Sequence, residues 1–227
     1  MASIDHSRFV RILERCSEIA KQSGLQPIVA VTYNDSLKSA ADAFRAAHAA
    51  VAKKEMAWGK ENGQALEALR SFDRAYTTAR AAAKAFVPAP RVPETLKSLP
   101  TDTDKKLAVE TLLDVIDDHP QETWAKTLLE GEFGLRAPVV VKELEEAIEA
   151  NKQLSAARTE RAKLYGPAYE KYLPFKRVVR SACGSTSREY QRIHLRGSGT
   201  IEDDDAPKPS PTPNAPTPPA PPAPPNP

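Results

Sequence analysis

The sequence predicts an all-α fold: an elongated helical bundle or antiparallel coiled coil with two long helices, several short ones and a separate tail. Three observations predict it. First, one heptad phase runs for fifty residues through Leu37, Ala41, Phe44, His48, Val51, Glu55, Trp58, Asn62, Ala65, Leu69, Phe72, Tyr76, Ala79, Ala83 and Phe86. A period of 3.5 residues over that span marks a helix burying a narrow seam against another helix. Second, a stretch after Pro138 repeats the pattern with Val140, Val141, Leu144, Ala147, Ile148, Asn151, Leu154, Ala162 and Tyr165. Its intervening residues (among them Glu143, Glu145, Glu146, Lys152, Arg158 and Lys163) are those of a solvated outer face. Third, 41% of the residues are hydrophobic but only 6% aromatic, with alanine supplying much of the difference. Small apolar residues suit close helix–helix packing better than a wide globular core.

The elements follow in order. Phe9, Ile12, Leu13, Cys16, Ile19 and Ala20 make one apolar stripe from about Asp5 or Ser7 to Ser23, capped by either residue and stopped by Gly24. The β-branched run from Leu25 to Tyr33 has no second strand to pair with, so it reads as an extended connector or as a helix begun at Pro27. Asn34, Asp35 or Ser36 caps the first long helix, expected over about 35–87. Within it, Gly59-Lys-Glu-Asn-Gly63 is either helical or the turn of an αα-hairpin. The unbroken phase favours continuity, and two glycines four apart would let a neighbour approach one face.

Pro88, Pro90 and Pro93 end this element. A helix follows from about Asp104 to Asp117, capped at 101–103, with Leu107, Leu112, Leu113 and Ile116 on one side. A shorter one runs from about Gln121 to Gly131 around Trp124 and Leu128. The second long helix is expected over about 138–182, with Gly166-Pro167 a kink or break and Pro174 a second stop. A last short helix falls between Ser187 and Leu195. The bundle domain is thus set at 1–200. The tail is 201–227, acidic at 202–205 and then so rich in proline (12 of the 21 residues from Pro207) that it reads as disordered, largely polyproline II and carrying Pro-x-x-Pro frames.

The net charge of +2 hides an alternation: +4 over residues 1–87, −5 over 88–135, +6 over 136–200 and −3 over 201–227. Cys16 and Cys183 form no disulfide framework or Cys-x-x-Cys motif, which points to a reducing compartment. The first residues lack a signal-peptide apolar run, and no stretch is long and apolar enough to cross a membrane. The expectation from these features is a soluble, cytoplasmic protein.

The candidate sites divide by chemistry. Asn62 and Asn151 lie mid-helix at seam positions, where a buried asparagine sets register. Leu37, Phe44, Val51, Trp58, Leu69, Phe72, Tyr76, Phe86, Leu144, Ile148 and Leu154 are the seam itself. His48 and Glu55 share the seam, but no histidine has a glutamate three residues before it, so the di-iron pattern is missing and the seam is expected to open there to solvent. Asp117, Asp118, His119 and Glu122 read equally well as helix-end chemistry. Cys183 and His194 have neither an orienting group nor an oxyanion loop, and no phosphate loop, nucleophile elbow or zinc signature occurs. No catalytic residue, cofactor or metal is expected. The strongest remaining signal is basic: Lys171, Lys176, Arg177, Arg180, Arg188, Arg192 and Arg196 interleave with Tyr172, Phe175 and Tyr190, a pattern able to hold a phosphate backbone and stack bases.

The expectation is therefore a non-enzymatic helical scaffold or adaptor that mediates protein–protein interaction or self-association, as a homodimer for instance, with no small-molecule ligand. The alternative is a nucleic-acid-associated protein binding through 171–196. A second alternative is a helical membrane-active protein of the pore-forming or remodelling kind.

Overall fold

The computed structural model describes residues 5–22, 24–88 and 91–194. Leu195–Pro227 is a separate unit, so Arg196 and the proline-rich tail lie outside the described residues. Among the described residues there are helices and no strands, as the heptad pattern predicts. The order is α1 (His6–Ala20), α2 (Pro27–Thr32), a π turn (Tyr33–Leu37), α3 (Lys38–Phe86), a 3-10 turn (Leu96–Ser98), α4 (Asp102–Asp117), α5 (Thr123–Glu130), α6 (Glu132–Cys183) and α7 (Arg188–Ile193).

The frame is an antiparallel pair, α3 against α6. Ring contacts join Tyr33 to Phe175 (5.7 Å), Phe44 to Tyr165 (6.0 Å) and Phe72 to Phe133 (5.6 Å). Between them Lys54 donates to Gln153 (2.6 Å) and Arg158 to Glu55 (2.8 Å). The two numbers of each pair add to roughly 208, so a single register holds along the hairpin. Gly59 to Gly63 is helical inside α3, which settles the hairpin-turn alternative in favour of continuity. With α2 and the π turn, the first arm runs unbroken from Pro27 to Phe86, about 90 Å at 1.5 Å per residue.

That arm corrects the expected start at 35. No cap forms at Asn34, Asp35 or Ser36; the chain is already helical and widens into the π turn there. Val29, Tyr33, Leu37 and Ala41 are all buried at spacings of four. Each such step rotates a straight α-helix by about 40°, so three steps would carry the stripe off the core. One wider turn cancels most of that drift. At this turn the Thr32 and Ser36 hydroxyls donate to the carbonyls of Ile28 (2.7 Å) and Thr32 (2.6 Å).

The second arm corrects the expectation at three prolines. α6 begins at Glu132, six residues before Pro138, and continues through Pro167 and Pro174 to Cys183. All three prolines are exposed, so their rings face away from the packed side of α6. The opposite face carries Ala168, Tyr172, Phe175 and Val179, none more than 0% exposed. That burial holds the helix through a penalty of about 3 kcal/mol per interior proline.

Each end of the hairpin is thickened by further helices. At one end α4, α5 and the connecting residues 91–99 cover α3 and α6, and a continuous buried cluster includes Ala65 to Ala83 of α3, Val87 just after it, and Phe133 to Ala147 of α6. The connector is tied down where the Tyr76 hydroxyl donates to the Glu94 carbonyl (2.8 Å) and Arg80 to that of Pro93 (2.6 Å). At the other end α1, α2 and α7 bury Phe9, Leu13, Cys16, Ile19, Tyr33, Tyr172, Phe175 and Ile193. Between the ends the hairpin is bare: no residue of 52–64 or 148–153 is buried.

The seam is correspondingly uneven. Leu37, Phe44, Val51, Phe72, Tyr76, Leu144 and Leu154 are buried, while Trp58, Leu69 and Ile148 are half-buried. Phe86 does not belong to it: it is 60% exposed and stacks on Trp124 at 5.1 Å. Asn151 is exposed and Asn62 half-buried, so they do not form a buried register-setting pair. Gly59 and Gly63 have no neighbour within 4 Å of an added Cβ, so close approach is not their reason.

Candidate interaction surface at the basic end

The two thickened ends carry opposite charge. Residues 5–50 and 155–194, which build the end with α1, α2 and α7, hold fifteen Lys/Arg against eight Asp/Glu, a net +7. Residues 65–147, which build the end with α4 and α5, hold eleven against fifteen, a net −4. The alternation seen along the sequence is therefore folded into a basic end and an acidic end, because the antiparallel hairpin returns residues 155–194 to the side of residues 5–50.

The basic surface is assembled by α7. Gly184 takes φ +95, a left-handed value that lets the chain leave α6 and reverse. The Ser187 hydroxyl then accepts from the Tyr190 amide (3.2 Å) and starts α7. Tyr190 and Ile193 are buried, and the Tyr172 hydroxyl of α6 donates to the Ile193 carbonyl. From α1, Arg15 donates to the Arg192 carbonyl (3.3 Å), and the Arg192 guanidinium pairs with Glu18 (3.1 Å). α7 is thus a clasp between α1 and the end of α6.

Lys176, Arg177 and Arg180 fall within about 100° of one another around α6, with Lys176 the one that lies against α7. The Lys176 ammonium lies 5.8 Å from the Tyr190 ring centroid, and burial together with Arg180 lowers its pKa from the usual lysine value. Arg188 and Arg192, four apart, share the outer face of α7. Lys171 falls about 140° around α6 from Lys176 and stands apart from this group. Of the candidate polyanion-binding residues, Lys176, Arg177, Arg180, Arg188 and Arg192 are therefore brought together and Lys171 is not. Among the described residues Arg177, Arg180 and Arg188 make no ion pair within 4.0 Å. Sequence reasoning missed the contribution of Arg15 on α1; the signal was the +4 charge of the first 87 residues, unassigned to a surface without the position of α1.

The other candidates resolve into structural roles. Glu55 pairs with Arg158, and His48 is half-buried with its Nδ1 shielded. Asp118 pairs with Arg91 (3.1 Å), and His119 Nδ1 lies 3.0 Å from the Val115 carbonyl at the end of α4. Burial and the nearby Glu189 carboxylate raise the Cys183 thiol pKa, which works against a thiolate nucleophile. Burial pushes the Cys16 thiol up further still. Among the described residues no group of three His, Cys, Asp or Glu side chains could hold a metal ion, and no helix is long and apolar enough to cross a membrane.

The fold and surface define a class: an all-α antiparallel hairpin with clustered helices at both ends. The chain matches no protein-family model, no curated protein and no solved structure.

Proposed function

We propose that this protein is a non-enzymatic helical scaffold whose two ends engage protein partners, a second copy of the chain among them, through opposite charge. The observation that carries the reading is the bare two-helix span between a net +7 end and a net −4 end. Such a span is a spacer: it fixes the separation of two surfaces. Charge complementarity between ends favours head-to-tail contacts over symmetric ones, and contacts of that kind weaken with salt.

Sedimentation velocity at low and high salt tests it. The expected result is association at low salt that is lost when Arg177, Arg180 and Arg188 become Glu, lost when Asp114, Asp117 and Glu130 become Lys, and regained when the two variants are mixed. A monomer at every salt concentration contradicts the self-association limb of the reading.

A second reading is favoured by Arg177, Arg180 and Arg188, three exposed guanidiniums that make no ion pair within 4.0 Å among the described residues. In it the basic end binds nucleic acid. Retention on single-stranded nucleic acid that falls steeply with salt, and is lost in the Arg177→Glu, Arg180→Glu, Arg188→Glu variant, is the expected result. Indifference to those three changes removes this reading.

A further inference from the structure

We infer that the docking of α1 on the hairpin is a pH-sensitive latch, in which a proton on His6, set against Arg161 and His48, raises the fraction of molecules with α1 lifted off α3 and α6. His6 is the first residue of α1 and is half-buried. Its ring lies 6.1 Å from that of Phe44 on α3 and 5.7 Å from that of Tyr165 on α6, so it sits where the three helices meet. The latch is a property of the isolated chain and does not rest on the partners proposed above.

Three observations carry the inference. The first is the set of groups around that ring. Phe44 and Tyr165 face each other at 6.0 Å. In an antiparallel pair the next level is four residues on in α3 and four back in α6, which is His48 and Arg161. His48 Nδ1 and Arg161 Nε are buried with no hydrogen-bonding partner, and neither residue makes an ion pair within 4.0 Å among the described residues. Arg45 of α3, which lines the flank of α1 with Ser17 and Lys21, already pairs with Asp42. The α7 cation against α1, Arg192, pairs with Glu18. The carboxylate that acts on His6 is Asp5, exposed and engaged as the α1 cap, where it accepts from the Arg8 amide (3.0 Å). A new positive charge on His6 therefore meets cations from both arms of the hairpin.

The second observation is the response of His6 to those groups. Burial lowers its pKa from 6.5, the Arg161 guanidinium and His48 lower it further, and Asp5 opposes them. Once α1 lifts away, the ring regains water and leaves those cations, and its pKa returns toward the ordinary histidine value. The docked form thus binds the proton less readily than the undocked form. Undocking is favoured as the pH falls below 6.5 toward the lowered value, and well above 6.5 the latch is closed.

The third is what α1 holds. The Phe9 ring packs against Phe44 (5.3 Å), Tyr165 (5.1 Å) and Tyr172 (5.9 Å), and Cys16 is buried further along the same stripe. α1 also grips α7, through Arg15 on the Arg192 carbonyl and Glu18 on the Arg192 guanidinium. Gly24, at φ +106, lies between α1 and the start of α2 at Pro27, a turn about which α1 can swing while α2 stays helical. Undocking uncovers the Tyr165 and Tyr172 rings and the Cys16 thiol, and it frees Arg192 from Glu18.

Labelling of Cys16 by dithiodipyridine, in the full chain carrying Cys183→Ser, tests the latch. Each rate is divided by that of the same chain unfolded in urea at the same pH, which removes the thiol's own pH dependence. A buried thiol reacts from an opened state, so the ratio reports the undocked fraction. The expected result is a ratio that rises from about pH 7.5 to about pH 5.5 while the α4 amides, at the acidic end, keep their protection against hydrogen exchange. The rise should be lost in His6→Gln, which removes the titrating group. It should also be lost in Arg161→Glu, which sets a carboxylate beside the proton. Thermal unfolding at pH 7.5, where the latch is closed, checks that each variant folds, and either variant alone decides the question. A ratio indifferent to pH overturns the inference, as does a rise that survives either variant. A rise matched by an equal loss of α4 protection is unfolding of the whole chain and overturns it too.

Discussion

Arg158 of α6 reaches across the bare middle of the hairpin to Glu55 of α3, Nη2 to Oε1 at 2.8 Å, with both side chains about half exposed (54% and 48%). It is the ion pair that spans the two arms where no third helix covers them. Exposed pairs of this type contribute little, because water already solvates both charges and two long side chains must be ordered. A double-mutant cycle on Arg158→Ala and Glu55→Ala should give a coupling of about 0.5 kcal/mol. A coupling above about 2 kcal/mol would mean that this pair, and not the buried ends, sets the register.

The glycines beside it should be replaceable at a profit in stability. Gly59 and Gly63 are helical and exposed, with nothing near an added Cβ. Alanine at either position should raise stability by about 1 kcal/mol, the helix-propensity difference. Denaturant unfolding of the single and double variants measures this; destabilisation would show that the middle of α3 needs to flex or to be approached.

The opposite behaviour is expected at Gly134. A Cβ there would lie 2.0 Å from the Leu129 carbonyl oxygen, a backbone atom with no freedom to retreat. Gly134→Ala should therefore cost several kcal/mol, roughly 2–4, and displace α5 from the start of α6. Trp124 fluorescence, with its stacked Phe86 and neighbouring His119, reports on that corner. A variant with parental stability would contradict the packing described.

Acid should weaken the basic end before the acidic one. The pKa of His6 is lowered from 6.5, first by burial, then by the Arg161 guanidinium and by His48, with Asp5 opposing. A folded pKa below the unfolded value means that the unfolded chain binds the extra proton first. Between these two values stability falls as the pH drops; well above 6.5 the group contributes no slope. Unfolding free energies at pH 7.5 and 5.5 should differ less in His6→Gln than in the parent. An unchanged slope would remove His6 as the cause.

The seam from Leu37 to Ala83 was legible because a buried stripe needs apolar residues at a repeating interval, and the interval survives without the partner being known. Its outliers were not: Phe86 keeps the phase yet faces outward, because helix α5 offers Trp124 at that level and the core turns away to Val87. The prolines misled for a related reason. The rule that proline ends helices concerns backbone cost, and at Pro167 and Pro174 that cost is offset by aromatic burial on the far face. The π turn left a trace, four buried residues spaced by four, but a trace with meaning only once Val29 and Tyr33 are known to face the same core. The basic surface was half legible: the charges were in the sequence, while their sorting into Lys176, Arg177, Arg180, Arg188 and Arg192, apart from Lys171, depended on α7 folding back over one side of α6.

The account depends most on α3 being a single uninterrupted arm that keeps the two ends apart. Spin labels at Ser39→Cys and Ala85→Cys, in a Cys183→Ser background that leaves only the buried Cys16, would measure it by pulsed dipolar spectroscopy. Forty-six helical residues predict a separation of about 69 Å between the labelled backbone positions. A distance under about 30 Å would mean that the chain doubles back at Gly59–Gly63, and the two-ended scaffold would be contradicted.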